Sequence, residues 1–201
     1  MKLYYKAGAC SLTPHIVLRE AGLPFEIEAV DMPTKTTETG VDFFTINPKG
    51  YIPALVLDDG SVLTEGVAII LALAAMAPDK KLAPAPGTPA YGKLVEWLVF
   101  IATEIHKTAG GQFNPAMPEE FKTVLKALLA KRLDYADKAL AAAPYLLGET
   151  VSIADFYLFN VFLWLPRLNI DTSAWPHIVA HSDRIRQRPA VQAALKAEKL
   201  I

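Results

Sequence analysis

The chain has 201 residues, 52% hydrophobic and 20% charged, with a formal net charge of −1. This composition excludes a disordered chain, and near-neutrality excludes a nucleic-acid partner held by a basic face. The longest apolar runs, residues 67–77 and, broken by Asn160, residues 156–165, fall short of the roughly 20 residues that cross a bilayer, so no membrane partner is expected.

Residues 1–6 carry no apolar leader core, and a cytoplasmic location is expected. Within them, residues 2–5 are short and apolar-aromatic and read as a strand. Residues 11–21 hold Ile16, Val17 and Leu18, with Gly22 just beyond, which reads as a helix with a glycine stop. Residues 24–30 alternate Phe25, Ile27 and Ala29 with Glu26 and Glu28, the pattern of a second strand. Residues 31–40 are polar and read as loop. Residues 54–57 and 62–63 flank Asp58-Asp59-Gly60, a hairpin signal, and an apolar helix follows over 65–77. The order β-α-β-loop-β-β-α describes an α/β unit over residues 1–79.

Four of the 15 prolines, Pro78, Pro84, Pro86 and Pro89, fall in one short stretch with Gly87, so residues 80–89 read as a linker. Charge changes sign across it. Residues 1–80 hold 6 Lys/Arg against 10 Asp/Glu, whereas residues 81–201 hold 14 against 11. Beyond the linker, residues 90–108, 118–142, 152–165, 175–188 and 189–199 all carry helical periodicity, which describes an all-helical domain over 90–201. Ser152 and Asp155 frame the start of one helix as a capping box, and Pro189 suits the first turn of another.

Cys10 is the one cysteine, so neither an internal disulfide nor a multi-thiolate metal cage can form. It sits where the first strand meets the first helix, and a thiol near a helix N-terminus meets amide donors and the positive end of the dipole. A small buried hydrophobe is the alternative reading. Ile52-Pro53 precedes a strand, where a proline needs a cis bond or an open strand end. Glu65-Gly66 opens a helix whose free amides suit a carboxylate, with the Glu65 side chain suited to an ammonium; plain capping by Thr64 or Glu65 is the alternative. His106, beside Lys107, reads either as a packing residue or as an acid or base. His177 and His181 are spaced i, i+4 without a third ligand, so they read as surface residues and no metal is expected. Trp97, Phe100, Phe156, Tyr157, Phe159, Phe162 and Trp164 read as helical core.

In order and spacing these segments resemble a glutathione transferase of the bacterial beta class. The resemblance runs over the whole chain: the Met-Lys-Leu-Tyr-Tyr start, Ala9-Cys10-Ser11-Leu12 with Pro14-His15, Asn47-Pro48-Lys49-Gly50 leading to Ile52-Pro53-Ala54-Leu55, Leu63-Thr64-Glu65, and Gly148 with Ser152-Ile-Ala-Asp155. It implies a thioredoxin-like N-terminal domain, an all-helical C-terminal domain that forms the second-substrate site, and a homodimer. It also implies roles. Ile52 would pair its backbone with the cysteinyl part of glutathione, with Pro53 in cis. Glu65 and Gly66 would hold the γ-glutamyl end, and Lys35 would meet the glycyl carboxylate. Cys10 would touch the sulfur, with His106 near it and Lys107 as a second cation.

Two positions depart from the family pattern. Gly66 stands where a serine is usual, which removes a hydroxyl worth about 1 kcal/mol, or roughly fivefold in affinity. Tyr51 stands where a smaller polar residue is common and makes the rim bulkier. The expected activity is conjugation of reduced glutathione, as co-substrate and with no further cofactor, to small hydrophobic electrophiles. Thiol-disulfide exchange through Cys10 would be a second mode. A non-catalytic glutathione- or hydrophobic-ligand-binding protein, and a dedicated glutathione-dependent disulfide or peroxide reductase, are the alternatives.

Overall fold

Leu3 and Tyr4 are the buried residues of β1 (Lys2–Tyr5), the middle strand of a five-stranded sheet in a computed structural model that describes residues 1–201. β2 (Glu26–Asp31) runs parallel to β1 with Leu3 opposite Ile27, and the α1 helix (Leu12–Ala21) makes the crossover that parallel neighbours require. β4 (Ala54–Val56) lies antiparallel on the other side of β1, Leu55 opposite Leu3, and β5 (Val62–Thr64) completes the hairpin. The stretch 31–40, expected as loop, contains a two-residue strand, β3 (Thr36–Thr37), antiparallel to β2. Two residues are too few to display a period of two.

In β2 the buried residues are Glu28 and Val30. Glu28 is tolerated there because Lys2 Nζ (3.1 Å) and the Thr39 hydroxyl both donate to it. Burial alone would raise its carboxyl; hydrogen bonds from Thr39, Thr37 and Lys2 outweigh that and bring it down to about 2.

The first compact unit comprises Met1–Leu82 together with Arg188–Ile201. Arg188–Ile201 thus group with the first unit, although residues 90–201 read as one run of helices. α8 (Pro189–Ala197) packs on α1 rather than with the other C-terminal helices. Glu198, only 3% exposed, accepts from the Gly8 amide (2.9 Å) and pairs with His15 Nδ1 (2.8 Å). Because Arg19 Nε can only donate to His15 Nε2 (3.0 Å), the His15 proton lies on Nδ1, toward Glu198. Arg188 adds a two-pronged pair with Glu20 at 2.6 and 2.8 Å. α2 (Gly66–Met76) packs beside α1.

Ala83–Gln187 form the second unit. α3 (Pro89–Phe100) starts with Thr88 as its cap and Pro89 in the first turn. It runs directly into a π-helical segment, Ile101–His106, and then α4 (Lys107–Gly111). α5 (Glu119–Ala142), α6 (Ile153–Phe162) and α7 (Pro176–Arg186) follow. Every residue of α6 is buried, so this helix is the middle of its unit. Asp155 on α6 accepts from the Leu146 amide, the Ser152 amide and hydroxyl, each at 2.8 Å, and His181 Nε2 at 3.0 Å. His181 is 1% exposed, which corrects its reading as a surface residue; the buried acceptor on α6 draws it inward. His177 is exposed and pairs with Asp137. No helix is long and apolar enough to cross a membrane.

Asp155→Ala strands two buried amides and an imidazole. The expected destabilisation is about 3–5 kcal/mol, read from the urea midpoint at neutral pH; a loss below about 1 kcal/mol would mean that the site refills with other acceptors.

Candidate functional site

The turn between β1 and α1 is closed by its own side chains. Ser11 Oγ accepts from the Lys6 amide (3.1 Å) and donates to the Lys6 carbonyl (3.2 Å), while Gly8 takes φ 66, a value that glycine adopts without strain. Cys10 leaves this turn just before α1. It packs with Ala9 against the buried cluster of Tyr4, Val30, Phe43, Ile52 and Ala54. Its Sγ lies 3.5 Å from the Ile52 carbonyl, so the fold brings together two residues far apart in sequence. The Ile52-Pro53 bond is cis.

The segment leading to Ile52 is held from within. Asn47 is buried, its Nδ2 donates to the Tyr51 carbonyl at 2.7 Å, and its Oδ1 accepts from the Lys49 amide at 3.2 Å. Gly50 has φ 68, which favours glycine, and a Cβ there would overlap the Phe44 ring, so a larger residue would have to displace that half-exposed side chain. Lys35 directs Nζ to the Gly50 carbonyl at 2.6 Å. Tyr51 is 54% exposed, as a rim residue would be.

Glu65 precedes α2 with φ 66 and ψ 114, a conformation that a non-glycine residue adopts only under strain. Its carboxylate pairs with Lys49 Nζ at 2.7 Å, and the same ammonium reaches Thr64 Oγ1 at 3.0 Å. The pair holds the Lys49 ammonium above its ordinary value, chiefly through the hydrogen bond to Glu65. At Gly66 the nearest atom to an added Cβ is Pro53 Cγ at 3.9 Å, so the helix start has room for a larger residue.

His106 and Lys107 belong to the second unit. His106 ends the π-helical segment, and such segments recur at functional sites because the extra residue re-aims a side chain. Its Nδ1 lies 2.6 Å from the Tyr157 hydroxyl. The imidazole meets Tyr157 and Trp164 edge to face, with centroids 5.7 and 4.9 Å apart. Burial, helped by the neighbouring Lys107 charge, lowers His106 to about 4, so it is neutral at physiological pH. No group of three or more His, Cys, Asp or Glu side chains could hold a metal ion.

Residues 7–76 match the glutathione S-transferase N-terminal domain, and residues 97–189 match the C-terminal domain of the same family. Glutathione S-transferase GstA of Escherichia coli O157:H7 is 47% identical over 201 residues, covering 100% of both chains. The chain belongs to the glutathione S-transferase family. The structure of a sphingomonad glutathione S-transferase complexed with glutathione is 44% identical, with a TM-score of 0.96 and 100% of each chain covered. A bacterial beta class glutathione S-transferase from Sphingomonas chungbukensis is also 44% identical, with a TM-score of 0.97 over 100% of each chain. The beta-class resemblance read from the residues agrees with these neighbours.

Two polar residues beside the expected set are not singled out by sequence reasoning. Lys49 sits in a segment read only for its likeness to the family. Tyr157 sits among apolar residues and reads as core, although a buried tyrosine hydroxyl needs a partner, and that need is the available signal.

The lowered His106 value gives a signed pH dependence. As pH falls below 6.5, the unfolded imidazole takes up a proton that the folded one refuses until about 4, so stability declines through that window. His106→Gln should flatten the fall in urea midpoint between pH 7 and pH 4 relative to the parent; equal falls would mean that the folded imidazole titrates normally.

Proposed function

We propose that this glutathione S-transferase family member joins reduced glutathione to small hydrophobic electrophiles, acting as a cytoplasmic homodimer. The single observation that carries the reading is Glu65. A carboxylate in a strained backbone at the start of a helix, beside the Ile52–Pro53 edge, suits a ligand with an ammonium and a carboxylate on one carbon, which is the γ-glutamyl end of glutathione. Glu65 takes the ammonium and the α2 amides from Gly66 onward take the carboxylate. The Ile52 backbone pairs with the cysteinyl unit as an added strand would, Tyr51 forms the rim, and Lys35 meets the glycyl carboxylate.

Cys10 is assigned to the glutathione sulfur, and the roles of hydrogen-bonding group and second cation fall to His106 and Lys107. The glutathione thiol releases its proton to solvent, the thiolate attacks the electrophilic carbon, a carbon–sulfur bond forms and the leaving group departs. A neutral His106 supports this as a hydrogen-bonding nitrogen rather than a cation. In the second mode, the Cys10 thiolate attacks a disulfide of glutathione to give a mixed disulfide and release one thiolate. A further glutathione thiolate then displaces Cys10. Glutathione enters as co-substrate, and the chemistry requires no other cofactor. Full-length likeness to transferases does not favour the non-catalytic or reductase readings. For the homodimer, α3 and α5 offer exposed Val99, Phe121, Val124, Leu128 and Tyr135.

Calorimetry with reduced glutathione at neutral pH should give a micromolar-to-millimolar Kd, weakened about tenfold or more by Glu65→Ala, the loss of a charged hydrogen bond. No heat at several millimolar glutathione would overturn the reading. Because Lys49 pairs with the Glu65 carboxylate, a ligand ammonium that binds there exchanges one ammonium for another. Lys49→Met should therefore tighten glutathione about twofold at low salt, with the gain lost near ~1 M salt. An analogue lacking the α-amino group should gain nothing from the same substitution.

A further inference from the structure

Within α6, Ile153 to Phe162, Tyr157 puts a hydroxyl into an otherwise largely apolar interior. Such a group is destabilising there unless it is bonded, and its partner on this unit is His106 Nδ1, 2.6 Å away. An imidazole is nearly symmetric in shape. A half-turn of its ring exchanges Nδ1 with Cδ2 and Nε2 with Cε1, and packing alone barely distinguishes the two placements. The edge-to-face walls of Tyr157 and Trp164 set the ring plane but leave that choice open. The hydroxyl makes it. With Nδ1 at Tyr157, the Cδ2 edge faces Gly110, where even an added Cβ would stand 3.6 Å away, and Nε2 is directed away from the hydroxyl.

We propose that Tyr157 is a positioning residue for the glutathione reaction: its hydroxyl anchors Nδ1 of His106, holds the ring in one placement and one tautomer, and so presents Nε2 rather than a carbon to the bound thiol. The proposal rests on the reading that His106 serves that thiol. Burial keeps the imidazole neutral, so the two ring nitrogens differ, one carrying a proton and one not, and the anchor decides which is which. The π-helical segment that ends at His106 brings the ring to this hydroxyl.

The test is Tyr157→Phe, which keeps the ring and removes the oxygen. Nitrogen NMR of protein labelled at histidine reads the outcome directly, with the His106 signals identified by their absence in His106→Gln. In the parent at neutral pH, the two His106 nitrogens should show the widely separated shifts of a single tautomer. In Tyr157→Phe they should move toward the tautomer average, while kcat for conjugation falls about tenfold and KM for glutathione stays within about twofold. A fluorotyrosine at position 157, a stronger donor in the same shape, should shift the same signals and covers the case in which the phenylalanine variant folds poorly. Unchanged His106 nitrogen shifts in both variants would overturn the proposal. A separate result, shifts that move while His106→Gln turns over at the parent kcat, would instead remove the reading of His106 on which the proposal rests, and the proposal with it.

Discussion

Glu198, close to the C-terminus, is the acceptor on which the first unit closes. Its carboxylate is buried, and a buried carboxylate persists only when its oxygens are satisfied. The donors come from the other end of the chain: the amide of Gly8, in the turn that leads to Cys10, and the ring of His15, one turn into α1. One side chain therefore ties α8 to the strand-helix junction that carries the thiol. The sheet supplies the platform and α1 the direction, but the turn between them is held by a residue from the far end of the sequence.

A second balance of charge operates at the start of α2. Glu65 is held in a conformation that costs about 1–3 kcal/mol for a non-glycine residue, and the surrounding packing must absorb that. Its carboxylate is not left bare: Lys49 neutralises it and ties the 47–51 segment to the helix start. Segment and helix are thus joined by a pair weak enough, being exposed, to yield to a ligand.

The fold was largely legible because its elements obey strong periods. Ile16, Val17 and Leu18 with the Gly22 stop mark α1, Asp58-Asp59-Gly60 marks the hairpin, and the Ser152–Asp155 spacing marks the start of α6. What periodicity cannot report is partnership across the chain. The pattern of residues 189–199 says helix and nothing about its packing on α1, which is decided by Glu198 and Arg188 meeting residues 8–20. His181 looks like a surface residue until Asp155, on another helix, is known to face it. Of the candidate site, Cys10, Glu65 and His106 stood out because their residue types are unusual in their local settings. Lys49 and Tyr157 did not, since a lysine in a polar turn and a tyrosine in an aromatic run are what those settings normally contain.

The π-helical stretch at residues 101–106 makes chain length itself part of the site. A π turn holds one residue more than an α turn, and one residue of α-helix corresponds to about 100° of rotation about the axis. The direction in which the His106 ring leaves the helix is therefore set by the number of residues between Phe100 and Lys107 as much as by their identities. Substitutions along this stretch can be absorbed by packing. Removing a single residue from it cannot, because a regular helix would then carry every later side chain, His106 first, around to a different face.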